Sequence, residues 1–230
     1  MPRVFRPVMK STRRFVSTCA FLAALFAAVS SAGARAEEIR NHFDSDSILR
    51  PPGYFDLILL GAPGKSRWLV LTDLNPPSAP NRLVQTETQR PDDAMAAAVR
   101  RTYTFQDGTA TTMIKKGGTG KAGLLLRMAD EKDYLLLLVD TATGELVLSS
   151  TVGGKSTELG RAKISFERLW EEFGVTAAGP TLTVTFNDRK VFEASDPKPA
   201  NGRVGVAAAG PGEVSFDELI LTPAEGAAKK

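Results

Sequence analysis

Two residue types that anchor much extracytoplasmic and metal chemistry are nearly missing from this chain. In 230 residues there is one cysteine, Cys19, and one histidine, His42. A single cysteine rules out an internal disulfide framework. A single histidine rules out a multi-histidine zinc site, and its position near the start of the folded part argues against a histidine-based triad. Charge of one sign is also lacking: 29 Lys+Arg stand against 26 Asp+Glu, net +3. No apolar run reaches the roughly 20 residues needed to span a bilayer. Hydrophobic heptads and a repeat of about 20–50 residues are absent, which excludes coiled coils and solenoids.

What is present begins with an export signature. Arg3, Arg6, Lys10, Arg13 and Arg14 form a basic start, Ala20 to Val29 an apolar run, and Ala34-Arg35-Ala36 a small-residue cleavage site. That order predicts a signal peptide over residues 1–36, cleaved after Ala36, and a periplasmic or secreted product with no membrane span. Arg13-Arg14 leaves a twin-arginine route open beside general secretion. Cys19 sits at the start of the apolar run, where a lipid-attachment cysteine is not expected. Without the leader's six basic residues, 23 Lys+Arg face 26 Asp+Glu, net −3. The pI near 9.0 therefore belongs to the precursor. Neither a polyanion-binding surface nor a nucleic-acid partner is expected.

From residue 37 to 224 turn signals recur at short intervals. Examples are Pro51-Pro52-Gly53, Asp107-Gly108, Gly117-Gly118, Gly153-Gly154, Gly179-Pro180, Asn187-Asp188 and Gly210-Pro211-Gly212. The runs between them, about 5–9 residues long, alternate apolar and polar, the spacing of an all-β sandwich or barrel. Phe173, Val175 and Ala177 share one face, as do Leu182, Val184 and Phe186, and Asn187-Asp188 closes a hairpin. Leu124-Leu125-Leu126 and Leu135 to Val139 are continuously apolar and predict central strands covered on both faces. Ala94 to Ala98 has high helix propensity, and Phe166, Leu169, Trp170 and Phe173 fall at helical spacing, read as one turn at most before Trp170. Residues 225–230 read as a frayed tail.

Taken in order, these fragments resemble a known family. Phe43-Asp44, Pro52-Gly53-Tyr54-Phe55, Trp68-Leu69-Val70, and Pro77-Ser78-Ala79-Pro80-Asn81-Arg82-Leu83-Val84-Gln85 open the series. Ala122 to Arg127 with Asp133-Tyr134, Trp170-x-x-Phe173, Gly202-Arg203-Val204-Gly205-Val206 and Phe216-Asp217-Glu218-Leu219 complete it. The order is similar to the domain of 3-keto-disaccharide hydrolases and related secreted proteins. The resemblance implies a two-sheet antiparallel β-sandwich of the concanavalin A-like (jelly-roll) kind. It implies a glycan-related role far less specifically, because that fold hosts lectins, hydrolases and passive modules alike. Two departures stand out: Glu171 follows Trp170 where the family often has His, and Leu135 to Val139 replace a strand that is often polar.

Each candidate for chemistry has two readings. Arg127, in an otherwise apolar strand, either holds sugar hydroxyls or a carboxylate or forms an internal ion pair with Asp130, Asp133 or Asp140. Tyr134, Trp68 and Trp170 either stack on sugar rings or fill the core. Asp44 and Asp217 either share a structural Ca²⁺ or cap turns. Glucanases of this fold carry E-x-D-x-x-E on one strand, which this chain lacks, and adjacent Glu171-Glu172 would face opposite sides of a strand. Gly117 to Lys121 is followed by strand, so it is no phosphate loop. The leading expectation is a non-catalytic glycan-binding module using Arg127, Tyr134 and Gln85 on one sheet face. One alternative is a glycoside hydrolase drawing acid–base carboxylates from Glu87, Asp130 or Asp133. The other is a structural or interaction sandwich with no small ligand.

Overall fold

The computed structural model describes residues 38–87 and 94–224. The expected leader, 1–36, and the expected tail, 225–230, lie outside the described residues. Among the described residues fifteen strands, numbered in chain order, form two antiparallel sheets, and there is no helix. The eight-stranded sheet holds β1 (Ile39–Asn41), β3 (Trp68–Thr72), β4 (Asn81–Gln85), β6 (Gly108–Lys115), β11 (Trp170–Ala178), β12 (Thr181–Phe186), β13 (Arg189–Ser195) and β15 (Val214–Pro223). The seven-stranded sheet holds β2 (Phe55–Leu60), β5 (Met95–Phe105), β7 (Lys121–Asp130), β8 (Asp133–Asp140), β9 (Glu145–Val152), β10 (Lys155–Lys163) and β14 (Gly202–Ala209). Their orders are β13-β12-β11-β6-β15-β4-β3 and β10-β9-β8-β7-β14-β5-β2, with β1 added beside β15. This is the all-β sandwich that the alternation predicts, of the jelly-roll kind that the resemblance implies.

Period-2 alternation builds the core directly. Phe173, Val175 and Ala177 of β11 and Leu182, Val184 and Phe186 of β12 meet Leu124, Leu126, Leu135 and Leu137 of the other sheet. The outward residues of β7 and β8 are apolar too. Leu125, Met128 and Leu136 join Leu60, Ala97, Val99 and Ala207 in a second buried cluster on the opposite face of the seven-stranded sheet. That double burial is why these two runs carry no alternation.

The helix propensity of Ala94 to Ala98 is overruled. Met95 starts β5, hydrogen-bonded between β2 and β14, so ladder pairing on both sides outweighs an intrinsic preference of under about 1 kcal/mol per residue. The segment before Trp170 makes bends rather than a helical turn. Two bulges shift side-chain parity. Arg127 (φ 50°) puts both Leu125 and Met128 on one face of β7, and Glu218 (φ 48°) lets Phe216 and Leu219 both face the core. Beside the first bulge β14 runs so close that a Cβ on Gly202 would lie 2.3 Å from the Arg127 carbonyl carbon, and on its other side a Cβ on Gly205 would lie 2.2 Å from the Ala98 carbonyl oxygen of β5.

Candidate functional site

The three residues expected on one sheet face are not on one face. Gln85 closes β4 of the eight-stranded sheet, fully buried opposite Trp68, and its Nε2 donates to the Glu87 carbonyl at 3.0 Å. Arg127 and Tyr134 belong to the other sheet. The error has a simple source, since alternation orients a residue within its own strand and says nothing about which sheet the strand joins.

Arg127 is 3% exposed, and its donors are committed to three separate turns. Nε donates to the Gln106 carbonyl (2.9 Å), Nη1 to Asp196 (2.7 Å), and Nη2 to Asp107 (3.1 Å) and the Gly179 carbonyl (2.7 Å). The internal ion pair therefore exists, with Asp196 and Asp107 rather than with Asp130, Asp133 or Asp140. Asp107 also accepts the Gly179 N–H at 2.8 Å, so one guanidinium and one carboxylate join the β5–β6 and β11–β12 turns. Arg127 and half-buried Tyr134 do line one cavity, of about 30 Å³, with Asp133, Asp196, Lys198 and Ser150. That is room for one water molecule.

Asp44 and Asp217 do come together, through Ser78. The Ser78 hydroxyl donates to Asp44 and its N–H to Asp217 (2.8 Å), while Asn81 N–H donates to Asp44 (3.0 Å) and Glu218 N–H to Asp217 (2.8 Å). Each of the four carboxylate oxygens accepts a protein donor, and no group of three or more His, Cys, Asp or Glu side chains among the described residues is arranged to hold a metal. The arrangement is a hydrogen-bonded clasp that ties the Phe43-Asp44, Pro77 to Asn81 and Phe216 to Leu219 segments together. Burial pushes the Asp217 carboxyl up to about 7, against the opposing pull of its two N–H donors.

Trp68 is buried, with Nε1 donating to Ser66 Oγ at 2.9 Å, and Trp170 is 7% exposed. Neither offers a ring face to a sugar. The hydrolase candidates are scattered. Asp130 caps the β7–β8 turn by accepting Lys132 N–H (2.7 Å), Asp133 pairs with Lys198 (2.8 Å), and Glu87 follows β4 of the other sheet. Glu171 faces inward and is fully buried, accepting from Glu167 N–H, Arg168 N–H and Asn187 Nδ2.

Glu172 faces the other way, as adjacent strand positions must. It lies on the outer face of the eight-stranded sheet, opposite Met113, amid Thr109, Thr111 and Thr176. Thr181, Thr183 and Thr185 of β12 extend that face, as do Arg40 and Glu218, which pair at 3.4 Å. At one end Asp73 draws in both Lys115 and Arg82 (3.1 Å), which holds its carboxyl below the usual range despite burial. Burial first, then Asp188, holds the Glu172 carboxyl above the usual range. The signal for this face was in the sequence: the residues between Phe173, Val175 and Ala177 are Gly174 and Thr176, preceded by Glu172.

No family model matches the chain, and no curated protein matches it. Solved structures do. A carbohydrate-binding module from Bacillus subtilis, CBM66, is 16% identical, with TM-score 0.54, over 74% of this chain and 98% of that one. A lichenase from a mouse hindgut metagenome is 12% identical, with TM-score 0.53, over 81% and 99%. A Bacillus licheniformis β-glucanase is 8% identical, with TM-score 0.50, over 75% and 99%. The likeness is one of fold. This chain has the concanavalin A-like and galectin-like sandwich fold seen in these carbohydrate-binding and glucanase structures, and at these identities the likeness shows the fold alone.

Proposed function

We propose that this chain is an exported, non-catalytic glycan-binding module whose ligand lies across the outer face of the eight-stranded sheet. The observation that carries the reading is that face itself. It is a broad threonine-rich surface with half-buried Glu172 at its centre and the Arg40–Glu218 pair beside it, on a sandwich whose likenesses include a carbohydrate-binding module. Threonine hydroxyls, a carboxyl and a guanidinium are the donors and acceptors that sugar hydroxyls require. Against catalysis stands the cavity at Arg127, where both carboxylates are already neutralised, Asp196 by Arg127 and Asp133 by Lys198. The deciding experiment is titration of the exported protein with glycan panels, with and without Ca²⁺, beside Glu172→Gln. A ligand whose affinity falls about tenfold in the variant, at unchanged melting temperature, supports the reading. Absence of any ligand would leave a structural sandwich.

A second reading has one specific observation in its favour. The carboxyl of Glu172, held above the usual range by burial, shares its face with that of Glu218, and two carboxyls on one surface are the groups a glycoside hydrolase uses. That fits the resemblance to 3-keto-disaccharide hydrolases. Release of reducing sugar by wild type and its abolition in Glu172→Gln would favour this reading over the binding module.

A further inference from the structure

Arg127 is fully committed, but another arginine is not. Arg100, in β5, is half-buried at one side of the sandwich, where Nη1 donates to Asn41 Oδ1 at 2.7 Å. Its Nε is buried without a partner, Nη2 has no partner among the described residues, and no carboxylate lies within ion-pair distance of it there. Buried cations ordinarily have an anion. Arg100 instead lies over two rings, 5.8 Å from the Tyr54 centroid and 5.5 Å from that of Phe55. Burial lowers its pKa, and Asp46 opposes that only at longer range.

Tyr54 is unusual in its own right. It is 69% exposed, whereas both tryptophans are buried. Its backbone is left-handed at φ 60°, a conformation costly for a bulky residue, and Phe43 and Leu49 in the same connection share it, at 63° and 59°. The loop is held from within by Asp46, which accepts the Gly53 N–H at 2.8 Å, and from outside by Arg101, whose N–H donates to the Tyr54 carbonyl at 3.0 Å. The chain thus holds an aromatic ring in water in a conformation it does not favour, directly beside a guanidinium with a free donor.

We propose that Tyr54 and Arg100, with Asn41, form a second binding site that takes a carboxylate-bearing sugar ring. The ring stacks on Tyr54, and the carboxylate accepts from Arg100. An exposed ring suits the apolar side of a pyranose, and a planar guanidinium suits a carboxylate. The ligand class follows from what the site lacks, since no carboxylate of the described residues lies within ion-pair distance of Arg100 and its Nε has no hydrogen-bond partner. The inference rests on the glycan-binding reading for the sugar, while the guanidinium without a contact carboxylate stands without it.

The test is titration calorimetry of the exported protein with galacturonate and glucuronate oligosaccharides, their neutral counterparts, acetate and phosphate. The expected result is about a tenfold or greater preference for the uronates over the neutral sugars. That preference should be lost in Arg100→Gln and reduced in Arg100→Lys, which keeps the charge without the fork. Tyr54→Gly relieves the left-handed backbone, so it should weaken uronate binding while melting no lower than wild type. Equal binding of acidic and neutral sugars would overturn this inference and leave the glycan reading standing. Acetate or phosphate binding as tightly as the uronates would make the site one for simple anions and overturn the sugar ring. No saccharide bound at all would overturn both.

Discussion

Replacing Arg127 with alanine should destabilise the protein severely without touching ligand affinity. The side chains of Arg127 and Asp196 are each 2% exposed and meet at 2.7 Å. Removing the guanidinium leaves Asp196 buried without its cation, and breaking such a pair costs about 3–5 kcal/mol. It also orphans the Gln106 and Gly179 carbonyls. For a domain of this size about 4 kcal/mol corresponds to a loss of roughly 10 °C in Tm. The left-handed backbone at φ 50° supplies an internal control. Arg127→Gly loses the same bonds but relieves the strained φ, so it should melt above Arg127→Ala by about 1 kcal/mol. Urea unfolding of both variants, beside the double change Arg127→Met with Asp196→Leu, measures these terms. The double change should recover much of the loss, because a well-packed apolar pair replaces a buried ion pair at little cost. If Arg127→Ala melts with wild type yet loses a ligand, the reasoning fails and Arg127 belongs to a binding site.

Three other outcomes follow from the same geometry. Asp217 keeps its proton to about pH 7 in the folded state and releases it near the ordinary aspartate value of 3.8 once unfolded. Between those values the folded state binds more protons, so stability should fall as pH rises from about 4 to 7, by ~4 kcal/mol at most. Chemical denaturation across that range measures the slope, and a stability that climbs with pH would contradict it. Gly205→Ala should lower Tm by about 10 °C or prevent folding, since its Cβ would lie 2.2 Å from backbone oxygen that cannot move without opening β5. Ser78→Ala removes the hydroxyl from Asp44 but leaves the Ser78 N–H on Asp217. It should cost about 1–2 kcal/mol in urea unfolding, and a neutral result would show that the clasp is held by its backbone donors alone.

Much of this fold is legible in the sequence alone. Alternation is local: a residue and its second neighbour share a face wherever the strand ends up. Phe173-Val175-Ala177 and the Asn187-Asp188 hairpin could therefore be placed from residue types, and so could the opposed directions of Glu171 and Glu172. The doubly apolar runs at Leu124 and Leu135 likewise announced strands buried on both faces.

What tertiary structure alone decided is which faces meet. Arg127 is an oddity in its strand on sequence alone, yet its partner Asp196 lies 69 positions away, past Asp130, Asp133 and Asp140, the expected partners. The bulges at Arg127 and Glu218 reverse parity inside a strand, so counting by two across them assigns the wrong side. Gln85 went to the other sheet for want of any local signal that names a strand's sheet. Asp44 and Asp217 lie near the two ends of the domain, yet that Ser78 joins them follows from no local signal. Arg100 carries no sequence signal, because an arginine looks the same in a sequence whether or not a carboxylate stands opposite it. Sequence sets each strand's two faces by short-range sterics and hydrophobicity, whereas the counterions, clasps and unpaired groups are set by strand register and loop closure, to which residues far apart in the chain contribute equally.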